Sequence, residues 1–241
     1  NVLGTINQLS EIRAQISAKA KQAKFLVDGS QSVPHMPVEV SKMGADFLVF
    51  SGHKMLGPTG IGVLWARKEI LEEMPPFLYG GDMISEVKLN KTKWNELPWK
   101  FEAGTPNMEG MVGLGAAADY LKELGMKEVE RTEKELTGYA LKKMEELEKE
   151  GMIQIYGTKD LSKRSGVLTF NVVGVHAHDT AQILDSFGIA VRSGQHCGAP
   201  VVEKFGVVAM ARASLYFYNT KEEIDYLVEK IREVKKIFKL T

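Results

Sequence analysis

The chain has 241 residues, 44% hydrophobic and 26% charged, an ordinary balance for a globular protein holding one large domain or two modest ones. Its 31 basic residues equal its 31 acidic ones, so bulk charge gives no case for a nucleic-acid or membrane partner, and no apolar run approaches a membrane span in length. The single cysteine, Cys197, excludes an internal disulfide framework, and a thiol-dependent function would suit a reducing cytoplasm.

Residues 8–22 predict a helix, with Leu9, Ile12, Ile16 and Ala20 on one face, leading to a strand at 24–27. A second helix-like stretch at 37–43 precedes a strand at 47–50, and 60–66 predicts a third. Helices alternating with short, continuously apolar strands predict an α/β unit with a mostly parallel sheet. Ligands of such sheets bind at the carboxyl ends of strands, where Asp28 and Lys54 fall. Residues 75–99 read as irregular, with Trp94 and Trp99 as aromatic anchors of a surface loop. A small-residue helix around 113–118 ends near Gly125, and a charged amphipathic helix spans 127–149, with Val129, Leu136, Tyr139, Ala140, Met144 and Leu147 on its apolar side. Strands are predicted at 153–156 and 167–171, a helix at 179–187, and strands at 189–192 and 211–216. The terminal helix carries Ile224, Leu227, Val228, Ile231, Val234 and Phe238 at helical spacing. Thr220 is its expected N-cap, with Glu222 and Glu223 in the first turn. This mixed order predicts a small α+β domain, and the division is drawn between 1–122 and 123–241.

The chemistry concentrates at two strand ends. Ser51-Gly52-His53-Lys54 closes the apolar run 47–50. A lysine just past a buried strand loses water, which favours the neutral amine that attacks an aldehyde; Ser51 and His53 can donate hydrogen bonds to a phosphate. Upstream, Asp28 and Gln31 close the strand at 24–27. A lysine, a strand-end aspartate and phosphate donors are what pyridoxal 5'-phosphate (PLP) requires of a protein. Taken singly, the lysine reads as a solvated turn residue and the aspartate as a turn-former or helix cap; order and strand context join them. His176 and His178 stand at i, i+2, poor metal-ligand spacing, and Asp179 reads as a first-turn helix charge. No metal is expected.

The segments Val27-Asp28-Gly29-Ser30-Gln31, Phe50-Ser51-Gly52-His53-Lys54, Gly57-Pro58-Thr59-Gly60, Phe101-Glu102-Ala103-Gly104-Thr105-Pro106-Asn107, Val191-Arg192-Ser193-Gly194-Gln195-His196-Cys197 and Ala211-Arg212-Ala213-Ser214-Leu215 occur in this order. The set resembles the cysteine desulfurases of the class V aminotransferase family, and the short Arg-Ser-Gly-Gln-His-Cys loop resembles their Suf-type (group II) branch. The likeness runs from Asn1 to the last helix. It implies a PLP-dependent transferase of fold type I that converts L-cysteine to L-alanine, leaving a persulfide on Cys197. The sulfur would pass to an acceptor or scaffold protein for iron–sulfur cluster assembly in the cytoplasm.

By the same resemblance Lys54 and Cys197 are catalytic, and Asp28, Gln31, Ser51, His53, Thr105 and Asn1 contact the cofactor, Gln31 and Asn1 at its phenolic oxygen. Arg212 would bind the substrate carboxylate, while Arg192 is either a second active-site cation or a loop stabiliser. Thr105 would reach the PLP of the other subunit in a homodimer, with 75–99 as a hook toward that subunit. The same site would serve a selenocysteine lyase or a cysteine sulfinate desulfinase. His196 is expected to add positive charge beside the thiol, and Gly198, alanine in the family, to loosen the loop. Family members are longer, and a ring-stacking histidine and a phosphate-gripping threonine loop precede the segment that Asn1 matches. The chain is therefore expected to be the C-terminal part of such a protein. A reading of another class makes it a non-catalytic fragment, or half of a split enzyme completed by a second polypeptide.

Overall fold

The computed structural model describes residues 1–239. They form two compact units, Gln8–Met126 and a second built from Asn1–Asn7 together with the chain from Lys127 onward.

In the first unit, helix α1 (Leu9–Lys19) precedes β1 (Leu26–Asp28), α2 (Val40–Met43), β2 (Phe47–Ser51) and β3 (Gly62–Ala66). The sheet order is β1-β2-β3. β1 runs parallel to β2, with Asp28 opposite Val49, because the connection between them carries α2 as a crossover. β3 is antiparallel to β2, with Ser51 opposite Gly62; residues 52–61 hold only a 3₁₀ turn at Gly52–Lys54, too little chain for a crossover. Val27, Ala45 and Leu48 form the core, packed by Leu9, Phe25, Val33, Val40, Met43 and Trp65. Asp46, buried beside it, accepts from Phe25 N at 2.8 Å and from Arg13 Nη1 at 3.2 Å, fastening α1 to the sheet.

Helix α3 (Lys68–Glu73) is short, and Lys100 Nζ donates to the carbonyls of Leu71 and Glu72 at its end, each at 2.9 Å. Where the sequence reads as irregular, β4 (Ile84–Lys88) and β5 (Lys91–Trp94) form an antiparallel hairpin closed by Leu89-Asn90. Helix α4 (Met108–Leu124) starts ahead of its small-residue run, because Asn107 Oδ1 accepts from Gly110 N at 2.9 Å.

The second unit contains α5 (Met126–Lys149), β6 (Ile153–Tyr156), β7 (Val167–Val172), α6 (Ala177–Ser186), β8 (Arg192–Gly194), α7 (Ala199–Lys204), β9 (Met210–Ser214) and α8 (Lys221–Ile237). Its antiparallel sheet has the order β6-β7-β9-β8. Buried residues of α5, α6 and α8, among them Met144, Leu147, Leu184, Ile231 and Val234, share a core with Leu168 and Phe170 of β7. The predicted strand at 189–192 lies further on, because Ile189 N closes the end of α6 on Leu184 O.

The N-terminal segment belongs with this second unit and not with the first, as the division at 122/123 had it. Ser165 N donates to Gly4 O at 2.8 Å, Ile6 N to Lys163 O at 2.9 Å, and Thr169 Oγ1 to Val2 O. Gly4 has φ +73, and a side chain there would lie 3.1 Å from Val167 Cβ, so glycine allows the close approach. Among the described residues no helix is long and apolar enough to cross a membrane.

Candidate active site

The candidate residues fall into two groups, one in each unit. In the first, parallel pairing of β1 and β2 brings Asp28, the last residue of β1, to the sheet end where Ser51, His53 and Lys54 leave β2. Gly29 N donates to Val49 O at 2.8 Å and fixes that exit. Ser30 N donates to Asp28 Oδ1 at 2.9 Å. Hydrogen bonds from the Ser30 side chain and backbone, with the Lys54 charge, hold the Asp28 carboxyl below the usual carboxylate range against the opposing cost of burial. Gln31 lies in the turn that follows, closed by Ser32 N and Val33 N on Gly29 O. Lys54 is half-buried, His53 exposed.

The Gly57-Pro58-Thr59-Gly60 loop supports this end from outside. A Cβ on Gly113 of α4 would lie 2.5 Å from Pro58 Cγ, so only glycine lets the helix sit against the loop. Asn107 Nδ2 donates to Gly60 O at 3.2 Å, and Thr105 stands exposed on the segment leading to that cap. Asn107 thus carries a supporting role that sequence alone did not isolate; its position directly before a helix was the available signal.

In the second unit, β8 places Arg192 opposite Arg212 and Gly194 opposite Met210 of β9. Beyond Gly194 the chain reverses, with Gly198 N donating to Gln195 O at 2.9 Å. The two central residues have positive φ, His196 at 53 and Cys197 at 59, as the central pair of a type I′ turn requires. Such a conformation costs a residue with a side chain about 1–2 kcal/mol, so the surroundings must hold it. His196, 2% exposed, places Nε2 2.9 Å from Met210 O. A carbonyl only accepts, so Nε2 carries the hydrogen. Asn1 Nδ2 donates to His196 O at 2.6 Å.

This environment corrects the charge expected of His196. Burial, with the Arg212 cation adding to it, lowers its imidazole to about 4, so the ring is neutral at pH 7. The cation at the thiol is Arg192, whose Nη2 lies 3.5 Å from Sγ of the exposed Cys197. Gly198 does not loosen the loop: a Cβ there would lie 2.5 Å from Val2 Cγ2, so glycine makes a close fit against the N-terminal segment. Arg212 is half-buried and donates from Nη1 to Asn1 O at 2.6 Å. Its Nε is buried without a hydrogen-bond partner, and burial followed by the like charge of Arg192 lowers its pKa. A desolvated guanidinium donor without a partner suits an anionic ligand.

The fold is mixed α/β, and residues 1–227 match the aminotransferase class-V family, to which the chain belongs. Among curated relatives, the probable cysteine desulfurase of Halalkalibacterium halodurans is 52% identical over 238 residues, 99% of this chain and 57% of that protein. The cysteine desulfurase of Haloferax volcanii is 47% identical, over 99% of this chain and 54% of that protein. The apo cysteine desulfurase of Thermococcus onnurineus NA1 superimposes with a TM-score of 0.91 at 43% identity, over 98% of this chain and 58% of that one. The architecture agrees with the fold type I expected from the motifs. The chain spans a little over half the length of the proteins it matches.

Proposed function

We propose that the chain carries the lysine and cysteine groups of a PLP-dependent cysteine desulfurase of the Suf type. The observation that carries this reading is the exposed Cys197 thiol, held on a left-handed turn with the Arg192 guanidinium 3.5 Å from Sγ. Relatives named cysteine desulfurase at 52% and 47% identity support it.

The residues of the first unit suit PLP. Asp28 is a carboxylate kept ionised by Ser30 beside the Lys54 ammonium, as a protonated pyridine nitrogen requires. Ser51 and His53 would meet the phosphate, Gln31 the phenolic oxygen, and Thr105 the phosphate bound by the other subunit of a homodimer; from the second unit, the family resemblance adds Asn1 at the phenolic oxygen. When bound, the cofactor supplies an aldehyde for an amine and a ring that withdraws electrons from the substrate carbon. The released Lys54 amine would take the proton from that carbon and return it. Arg212 would grip the L-cysteine carboxylate with its planar fork. The Cys197 sulfur, beside Arg192, would attack the substrate sulfur: an S–S bond forms, the Cβ–S bond breaks, and its electron pair stays with Cβ. Protonation of Cβ, by the proton that the substrate thiol gives up, completes the methyl group of L-alanine, leaving a persulfide on Cys197 for an acceptor in cytoplasmic iron–sulfur assembly.

The test is the visible spectrum of the purified chain with PLP, before and after L-cysteine, together with the mass of the Cys197 peptide. The expected result is a band that Lys54→Ala lacks and L-cysteine shifts, and one added sulfur on Cys197. A Cys197→Ala chain that still releases alanine from L-cysteine at the full rate would overturn the desulfurase reading.

A further inference from the structure

We infer that His196 is a positioning residue, which holds the turn that sets the Cys197 sulfur against Arg192. The inference deepens the reading of Cys197 as the reacting thiol and rests on it. Four observations meet at this residue. The turn has two successive left-handed residues, neither of them glycine, and His-Cys lacks the Asn-Gly chemistry that stabilises such a turn by itself. The β8–β9 ladder stops at Gly194 opposite Met210, yet Met210 O is still used, by His196 Nε2 at 2.9 Å. The side chain therefore extends the ladder beyond the last backbone pairing and into the turn. The His196 carbonyl is held from the other side by Asn1 Nδ2 at 2.6 Å. Finally, the ring is 2% exposed and its Nδ1 has no hydrogen-bond partner, a cost that a residue serving only as filler would not carry.

The geometry separates two contributions. Asparagine tolerates the left-handed region as histidine does, but its shorter amide does not reach as far as an imidazole Nε2. Glutamine is less suited to the turn but long enough to donate to Met210 O. If the hydrogen bond positions the thiol, glutamine replaces histidine and asparagine does not.

The experiment uses the full chain without cofactor or substrate, where Cys197 is the only thiol. Alkylation rates are measured with anionic iodoacetate and neutral iodoacetamide at one pH and low salt, on variants whose circular dichroism shows them folded. A cation close to sulfur favours the anionic reagent, and removing one unit charge at this range lowers the iodoacetate-to-iodoacetamide ratio about fivefold. Arg192→Gln is expected to show that loss, His196→Asn a comparable one, and His196→Gln a ratio near that of the unsubstituted chain. The inference fails if His196→Asn keeps the original ratio, if His196→Gln falls as far as Arg192→Gln, or if Arg192→Gln changes nothing. Because no turnover is read, failure of the desulfurase assignment would leave this ratio unaltered, and the two failures stay distinguishable.

Discussion

At the residue scale, a histidine kept neutral by burial has a consequence for stability. His196 takes a proton near 6.5 when unfolded and near 4 in the folded chain, so between those values the unfolded state binds more protons. The contribution is fully present above pH 6.5 and is lost as the pH falls toward 4, by at most about 3 kcal/mol. Urea midpoints at pH 7.5 and 4.5 should therefore differ less in His196→Gln than in the unsubstituted chain; equal differences would refute the assignment. Gly198 makes a second prediction. The 2.5 Å approach of a Cβ to Val2 Cγ2 means that Gly198→Ala overpacks this contact, at a cost of about 1–3 kcal/mol. Val2→Ala in the same chain should recover part of that loss in thermal melting, and an additive pair of changes would show that the contact is not the cause.

At the element scale, the cap of α8 offers a clean measurement. Thr220 Oγ1 accepts from Glu223 N at 3.3 Å, and Glu223 Oε2 accepts from Thr220 N at 3.0 Å. Thr220→Ala should cost about 1 kcal/mol, and denaturation of Thr220→Ala, Glu223→Ala and the double variant should show coupling between them. This cap was legible in the sequence, as were α5 and β6, because long amphipathic periods and acidic first turns are local signals. The hairpin β4–β5 was not. Glu86, Lys88, Lys91 and Lys93 crowd it with charge, pairing as Lys88–Glu86 at 2.6 Å and Lys93–Glu86 at 3.2 Å, and Leu89-Asn90 is no recognised turn pair. β8 was displaced because the apolar residues Ile189 and Val191 pack on the core while the pairing falls on Arg192–Gly194. In the site, strand-end position marked Asp28 and Lys54, while Arg192, Arg212 and the role of Cys197 came from the family resemblance and not from residue type or spacing. The charge of His196 was not legible, because its burial depends on tertiary contacts, with Met210 of β9 and with Asn1 at the far end of the chain.

At the scale of the whole molecule, surface left open by the fold governs behaviour in solution. Among the described residues of the first unit, β1 and β3 lie on either side of β2 and each pairs with it alone, so the outer edge of each carries no further strand. Leu26 on β1 is 54% exposed and Leu64 on β3 is 51% exposed. Phe77, Leu78 and Tyr79 are exposed as well, as are Met108, Met111 and Val112 on α4. Sheet edges joined to apolar surface favour pairing with another chain. The chain is therefore expected to sediment as a species heavier than its 26.7 kDa, with the heavier fraction growing as concentration rises. Leu26→Lys, which places a charge on the edge strand without touching the buried Val27, should shift that distribution toward the single chain. High salt should leave association of the unsubstituted chain nearly intact, because apolar contact is not screened as ion pairs are. One light species at every concentration would show that these edges are not sticky. Association abolished by salt would instead move the cause from the apolar surface to its charges.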